Sequence, residues 1–481
     1  MAEARDPGLP VKLGPCSNGE YPPRPASPVV REAARRARRM SDERARRLGM
    51  SRREFLLSTM GAATGLLALA ACSREESGGG AGGTFEVPEE ATTDTDVATT
   101  VLGSHEPVID VQTHFLEYPD GAEGDFGLGF PQANCGEENP ADCFGIDRWM
   151  QEIFGHSDTT VAVLSAIPVV AQADPLSAEL MAQARDQLSQ ACGDGRVLMQ
   201  GHGVPNVGDL GAALAAMERE AARYPLVAWK AYTHAGPPWR LDDADPDGVQ
   251  VGEAFLSKVD ELGVDIVCVH KGLSGGNPFS SPADIGPAAA QRPDLRFCVY
   301  HSGFESGVTE GPYDPSAPNA GADRLVASLA QAGVEPGGNV YAELGSTWRS
   351  VMGSPDEAAH LLGKLLLAVG EDNVLWGTDS IWYGSPQDQI QAFRTFSISP
   401  ELQETHGYPE LTDEVRSKIL WRNAAALYRI DPATLPCQLD PVEADAARRS
   451  SPRAHRTYGP RTAAGARRLF LAEHPWAAPR R

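Results

Sequence analysis

Nowhere in these 481 residues do two cysteines stand with two residues between them, although the chain has eight. That absence argues against a zinc ribbon, which takes its ligands from such pairs. No apolar stretch approaches the roughly 20 residues that a spanning helix requires; the longest candidate, Gly61–Ala71, stops well short. Positive charge is scarce in the body of the chain. With +6 on residues 1–71 and +8 on residues 447–481, the total of −23 leaves −37 on residues 72–446. So acidic a body repels nucleic acid and anionic membrane surfaces and keeps the chain soluble. Histidine is also sparse, at 11 residues, which gives weight to where the histidines fall.

Residues 1–49 are rich in Arg and Pro and lack the periodicity of a buried face. Then follow Ser51-Arg52-Arg53-Glu54-Phe55-Leu56-Leu57, the apolar run, and Leu69-Ala70-Ala71-Cys72. This order resembles a twin-arginine export signal joined to a lipoprotein box. The resemblance implies cleavage before Cys72, lipid on its sulfur, and residence on the outer face of the cytoplasmic membrane, held there by the lipid alone. Such signals stand at the start of a chain, so translation is expected to begin at Met40 or Met50. Residues 1–71 are thus read as an extension plus signal, and residues 72–104, Gly- and Ser-rich and then acidic, as a flexible tether.

Residues 105–432 alternate between two patterns. Strand-like runs occupy Val108–His114, Thr160–Ile167, Val197–His202, Val227–Tyr232, Asp265–His270, Arg296–His301, Val340–Gly345 and Val374–Thr378. Helical patterns such as Pro175–Ala191, Gly208–Arg223, Gly252–Leu262, Arg324–Ala332 and Asp356–Val369 lie between them. Eight strands alternating with helices predict an α/β fold, a (β/α)8 TIM barrel, whose chemistry belongs at the strands' C-terminal ends.

Those ends carry the chemistry-bearing residues. Gln112 and His114, two apart, share one face of the first strand. Lys230 stands near the end of the fourth, His270 and His301 end the fifth and sixth, and Asp379 follows the eighth. Each alone is an ordinary buried or rim residue; together they read as a metal cage. The set resembles the amidohydrolase superfamily, particularly the amidohydrolase-2 branch that includes relatives of aminocarboxymuconate semialdehyde decarboxylase. Trp376-Gly377-Thr378-Asp379-Ser380 is its most specific signature here. Val267-Cys268-Val269-His270-Lys271-Gly272 and the closing Ile419–Tyr428 also match.

The branch carries His-x-His on its first strand, and this chain has Gln112 in the first of those places. The resemblance implies metal ligation by His114, His270 and Asp379, with Gln112 as a weaker amide donor. It implies one or two divalent ions, zinc or manganese, that lower the pKa of a bound water to about 7. Asp379 would take that water's proton, and His301 would orient the water or polarise a substrate carbonyl, or else support the ligands from behind. Lys230 fits a carboxylated bridge between two ions, a cation for a substrate carboxylate, or a rim ion pair. Members of the branch are often homodimers.

The long stretch Phe115–Trp149 reads as a lid, closed by a disulfide between Cys135 and Cys143 if the chain is exported. Trp229, Trp239, Trp348, Trp376, Trp382 and Tyr383 fall near strand ends. Residues 433–481 form a basic, Pro-rich tail, expected to lack fixed structure, with a short helix over Ala463–Ala472. Three functions are compatible with this chain. The first is a metal-dependent hydrolase of an ester, lactone or amide. The second is a metal-dependent non-oxidative decarboxylase of an aromatic or unsaturated acid. The third is a binding lipoprotein that has kept the barrel and lost catalysis.

Overall fold

The computed structural model describes residues 7–78, 82–104, 106–117, 133, 135, 137, 139–168, 174–203, 208–244, 250–273, 275–435 and 455–473. Its centre is an eight-stranded parallel sheet in sequence order. The strands are β2 (Ile109–Thr113), β3 (Val161–Leu164), β4 (Val197–Gly203), β5 (Leu226–Ala231), β6 (Ile266–His270), β7 (Arg296–Tyr300), β8 (Val340–Glu343) and β9 (Val374–Leu375). Most of these strands are near-continuous apolar runs because both faces are covered, the inner by the barrel core and the outer by helices. Every residue of β2, β3 and β6 is buried. The expected (β/α)8 TIM barrel is the fold.

The sheet's two ends meet beyond the short β9. Thr113 bridges Ser380 in parallel. Asp379 donates its N–H to the Gln112 carbonyl at 2.8 Å, and His114 donates to that of Ser380 at 2.6 Å. The backbone that closes the barrel therefore carries three of the expected ligands. The helices Ala178–Cys192, Leu210–Arg223, Val251–Leu262, Asp323–Ala332 and Pro355–Val369 cover the outside. Each lies within three residues of its sequence-predicted bounds.

The N-terminal expectations need correction. Residues 72–104 are not a structureless tether. The helix Thr59–Glu76 runs through Cys72, β1 (Gly83–Phe85) pairs antiparallel with β10 (Phe396–Ile398), and Thr95–Leu102 is helical, capped by Asp94. Phe85 supplies the reason: it packs against Phe396 at 5.5 Å and joins the main apolar core.

The segment read as an export signal is likewise packed. Pro28–Leu48 is a helix capped by Ser27 with Pro at its first turn, ended by Gly49 at φ 67°. Ser51 and Glu54 form a capping box for Arg52–Leu56. Thr59–Glu76 is apolar nearly all round, which suits a helix enclosed on every side. Its Met60, Leu66 and Leu69 belong to the same core cluster as Trp348 and Phe393. Small residues permit this closeness: a Cβ at Gly61 would stand 2.5 Å from the Phe55 carbonyl. Too short to cross a bilayer, the run is long enough to lie along the body. No helix among the described residues is long and apolar enough to cross a membrane.

Part of the basic tail is also ordered. Tyr458 is buried, donates its N–H to the Trp382 carbonyl at 2.8 Å, and its hydroxyl donates to Glu152 at 2.5 Å. Its ring meets Phe144, which draws this stretch onto the barrel. Ala463–Glu473 is helical, as expected. Residues 436–454 lie outside the described residues, as do residues 118–132 of the expected lid. Of that loop, the helix Ile146–Met150 is described, and Cys135 and Cys143 are joined in a disulfide with Cα atoms 5.6 Å apart.

Candidate active site

At the C-terminal end of the barrel, Gln112 and His114 project from β2 toward Asp379. The His114 Nε2 lies 3.1 Å from Asp379 Oδ1, and the Gln112 amide donates to the same oxygen at 3.0 Å. Asp110, on the same strand, turns instead to Thr378, accepting its hydroxyl and, at 3.0 Å, its N–H. That pair holds the segment after β9 against β2, which aims Asp379.

His270 at the end of β6 and His301 just after β7 face each other with ring centroids 4.6 Å apart. His301 donates Nδ1–H to the Gly345 carbonyl at 2.7 Å, so its Nε2 carries the lone pair. That Nε2 is buried and has no hydrogen-bond partner. Burial, then the neighbouring His270, pushes the His301 pKa down to about 3. Burial, then Lys230 and Lys271, holds His270 well below the ordinary histidine value. Both rings are therefore neutral at pH 7, the form that binds a cation.

Two residues that the sequence reading did not single out complete the group. Glu20 places Oε2 3.1 Å from His270 Nε2, and the ligand atoms of Glu20, His270 and His301 all lie within 4.8 Å of one another. Asn18 donates to Glu20 at 2.7 Å and to Asp379 Oδ2 at 2.8 Å, which joins the two clusters. Ser346 donates to Asp379 Oδ2 at 2.6 Å and also bonds Tyr383. The motif Ser17-Asn18-Gly19-Glu20 falls among prolines with no periodicity, so no local pattern announced it.

Four residues of this region hold left-handed backbone angles that only glycine adopts freely: His301 (φ 65°), Ser302 (φ 51°), Ser346 (φ 55°) and Asp379 (φ 57°). Such strain gathers where the fold over-determines a functional geometry. Gly345 and Gly377 are needed for space, since a Cβ there would stand 2.2 Å from the Gln112 amide oxygen and 1.8 Å from the Glu343 carboxylate. Glu343 accepts the His301 and Gly345 N–H groups at 3.0 and 2.5 Å, and burial holds its carboxyl well above the usual range.

Lys230 is buried beneath the histidines, its ammonium 3.5 Å from the Tyr300 ring centroid. Burial pulls its pKa down to about 8, and its nitrogen has no hydrogen-bond partner. The other cations are committed elsewhere. Lys271 pairs with buried Asp284 at 2.8 Å, Arg240 with Asp242, and Arg349 donates to the Gly14 carbonyl. His202 lies apart, between Asp174 and Glu220. Of the aromatic residues expected near the rim, Tyr383 reaches the site, whereas Trp229, Trp348 and Trp376 are fully buried.

The family model described as amidohydrolase matches residues 109–430, two thirds of the chain and the whole of this barrel. The chain belongs to the amidohydrolase family. No curated protein matches it. Similar solved structures include 5-carboxyvanillate decarboxylase from Sphingomonas paucimobilis (16% identity, 68% of this chain and 99% of that one, TM-score 0.40). Another is a candidate 2-pyrone-4,6-dicarboxylic acid hydrolase from Pseudomonas putida (16%, 68% and 98%, TM-score 0.39). A third is 5-carboxyvanillate decarboxylase from Novosphingobium aromaticivorans, complexed with manganese (15%, 68% and 96%, TM-score 0.41).

The sequence resemblance implies a divalent metal, and the residues here suit one. The buried Gln112 Oε1, His114 Nδ1, His270 Nδ1 and His301 Nε2 have no hydrogen-bond partner. Imidazoles, an amide and two carboxylates converge within reach of one another, a mixed nitrogen–oxygen donor set that zinc or manganese accepts. In this amidohydrolase the barrel thus brings together Gln112, His114, His270, His301 and Asp379, all named from sequence, and sets Lys230 below them.

Proposed function

We propose that this amidohydrolase is a metal-dependent hydrolase of an ester, lactone or amide bond in a small organic substrate. The observation that carries the reading is His301, neutral, held by its Nδ1–H bond, with a buried Nε2 free to hydrogen-bond a reacting group. Bound at His114, His270, Asp379 and the Gln112 amide, a zinc or manganese ion would supply an acidified water and a Lewis acid. Asp379 would accept a proton from the attacking water at its carboxylate and pass it to the leaving group. Asn18 and Ser346, both donating to Oδ2, hold the carboxylate in position for that transfer.

A decarboxylase in this barrel would benefit from a side-chain cation beside the metal to hold the substrate carboxylate. Lys271, Arg240 and Arg349 are engaged in bonds of their own, which favours hydrolysis. Lys230, without a hydrogen-bond partner, supports the decarboxylase as the second reading.

The test is metal content of the full-length protein by plasma mass spectrometry, with His114→Ala and Asp379→Asn beside it. One or two equivalents, lost in both variants, is the expected result. Esters, lactones, amides and aromatic acids are then screened, scoring acid release against carbon dioxide release. Metal binding without turnover of any of them points to a binding protein; no metal in the wild type sinks the reading.

We further infer export by the twin-arginine route, supported by Ser51–Leu57 and Leu69–Cys72. That route carries folded proteins, so metal could be loaded before translocation. Cys72 is buried, so attaching lipid to it requires the helix Thr59–Glu76 to leave its packing. The intact mass of protein from the producing cells decides whether residues 1–71 are removed; their removal would take Asn18 and Glu20 away from His270 and Asp379.

A further inference from the structure

We infer that Glu20 is a metal ligand, contributed to the barrel by a strap of chain that precedes it; this rests on the metal-dependent reading above. The strap crosses the mouth of the barrel and is anchored on both sides of Glu20. Before it, Lys12 forms a buried ion pair with Asp388 at 2.8 Å. Arg349 donates to the Lys12 and Gly14 carbonyls, and Ser17 N–H donates to the Pro460 carbonyl at 3.0 Å. After it, Tyr21 shares a hydrogen bond with Tyr383 at 2.9 Å, and Arg24 Nη1 donates to both Glu357 carboxylate oxygens at 2.8 and 2.9 Å. A segment merely lying over the opening has no need of a buried ion pair on one side and an arginine–glutamate pair on the other.

Between these anchors the Asn18 side-chain oxygen accepts the Glu20 N–H at 3.1 Å, a local turn that sends the carboxylate inward. Glu20 Oε2 meets His270 Nε2 at 3.1 Å, and the ligand atoms of Glu20, His270 and His301 lie within 4.8 Å of one another. The deficit it meets is on β2. Gln112 offers a neutral amide oxygen where an imidazole would bind a borderline cation more strongly. A second carboxylate beside Asp379 supplies the missing donor strength at a site whose first strand offers only an amide and an imidazole. Asn18, bonded to both carboxylates, keeps them together without adding charge.

The experiment uses full-length protein with Glu20→Gln, which keeps the shape of the side chain, and Asp379→Asn as reference. Zinc affinity is measured by competition with a chromogenic chelator, and the cobalt-loaded proteins are compared by visible absorption. Thermal melting of the metal-free proteins reports on folding. The expected result is zinc affinity weakened at least about tenfold in Glu20→Gln, an altered cobalt spectrum, and an unchanged metal-free melting temperature. Equal affinity and an identical spectrum in Glu20→Gln, with binding lost in Asp379→Asn, overturn this inference and leave the metal-dependent reading standing. No zinc bound by the wild type overturns both.

Discussion

At the scale of single residues, His202 separates what a histidine at a strand end can be from what it is. Its Nδ1 lies 2.9 Å from Glu220 and its Nε2 3.0 Å from Asp174. Burial lowers its pKa, but the hydrogen bonds to Asp174 and Glu220 outweigh that and carry it up to about 10. A folded pKa raised above the unfolded value near 6.5 gives stability that is complete below 6.5 and lost as pH rises through about 10. His202→Gln should therefore cost roughly 1–3 kcal/mol at pH 6 and much less at pH 10, read by urea unfolding at the two pH values. A cost independent of pH would mean that the imidazole acts by packing alone. His270 and His301 also end strands, yet both are neutral and face the site. The distinction came from carboxylates such as Glu220, 18 residues further along the chain, which local pattern cannot bring forward.

At the scale of elements, the helix Thr59–Glu76 is where the sequence and the fold pull in different directions. The pattern of an export signal and that of a helix buried on all sides are the same: short, apolar, rich in Ala, Leu and Gly. Leu66 is fully buried in the main core. If the segment remains part of the protein, Leu66→Ala should destabilise it by about 2–5 kcal/mol, measured by denaturant unfolding of the purified protein. If the segment is removed before the protein works, the same substitution leaves the mature form unchanged. The disulfide Cys135–Cys143 is a second element with a measurable contribution. Closing so short a loop restricts the unfolded chain by about 2–3 kcal/mol, and Cys135→Ser with Cys143→Ser should lower the denaturation midpoint accordingly. The barrel strands and their helices were legible because alternating apolar runs and amphipathic patterns are local. The pairing of β1 with β10 was not, since three-residue strands more than 300 positions apart carry no pattern of their own.

At the scale of the whole molecule, the two chain ends converge on the same rim. Ser17 bonds Pro460, and Tyr458 bonds Trp382, just after the closing segment of the barrel. A protein begun at Met50 would lack Lys12, Asn18 and Glu20 and leave Asp388 buried without its cation, a loss of about 3–5 kcal/mol for a buried pair. Such a protein should bind zinc less tightly and unfold at lower denaturant than the full chain; chelator competition and urea titration on both read this directly. If the shorter chain equals the full one in both respects, the strap is dispensable.

Sequence alone determined the barrel and the bounds of its strands within a few residues, and it placed Gln112, His114, Lys230, His270, His301 and Asp379 at the strand ends. Each of these follows from periodicity and from the rule that parallel strands deliver their chemistry at one end. Only the tertiary structure decided that His114 and Asp379 meet, and that Lys271, Arg240 and Arg349 are bound elsewhere. It alone brought Asn18 and Glu20 some 250 to 360 positions along the sequence to His270 and Asp379. The physical reason is the same throughout. A strand or helix is specified by neighbours along the chain, whereas a site is specified by which side chains the closed barrel forces to share one small, poorly solvated space.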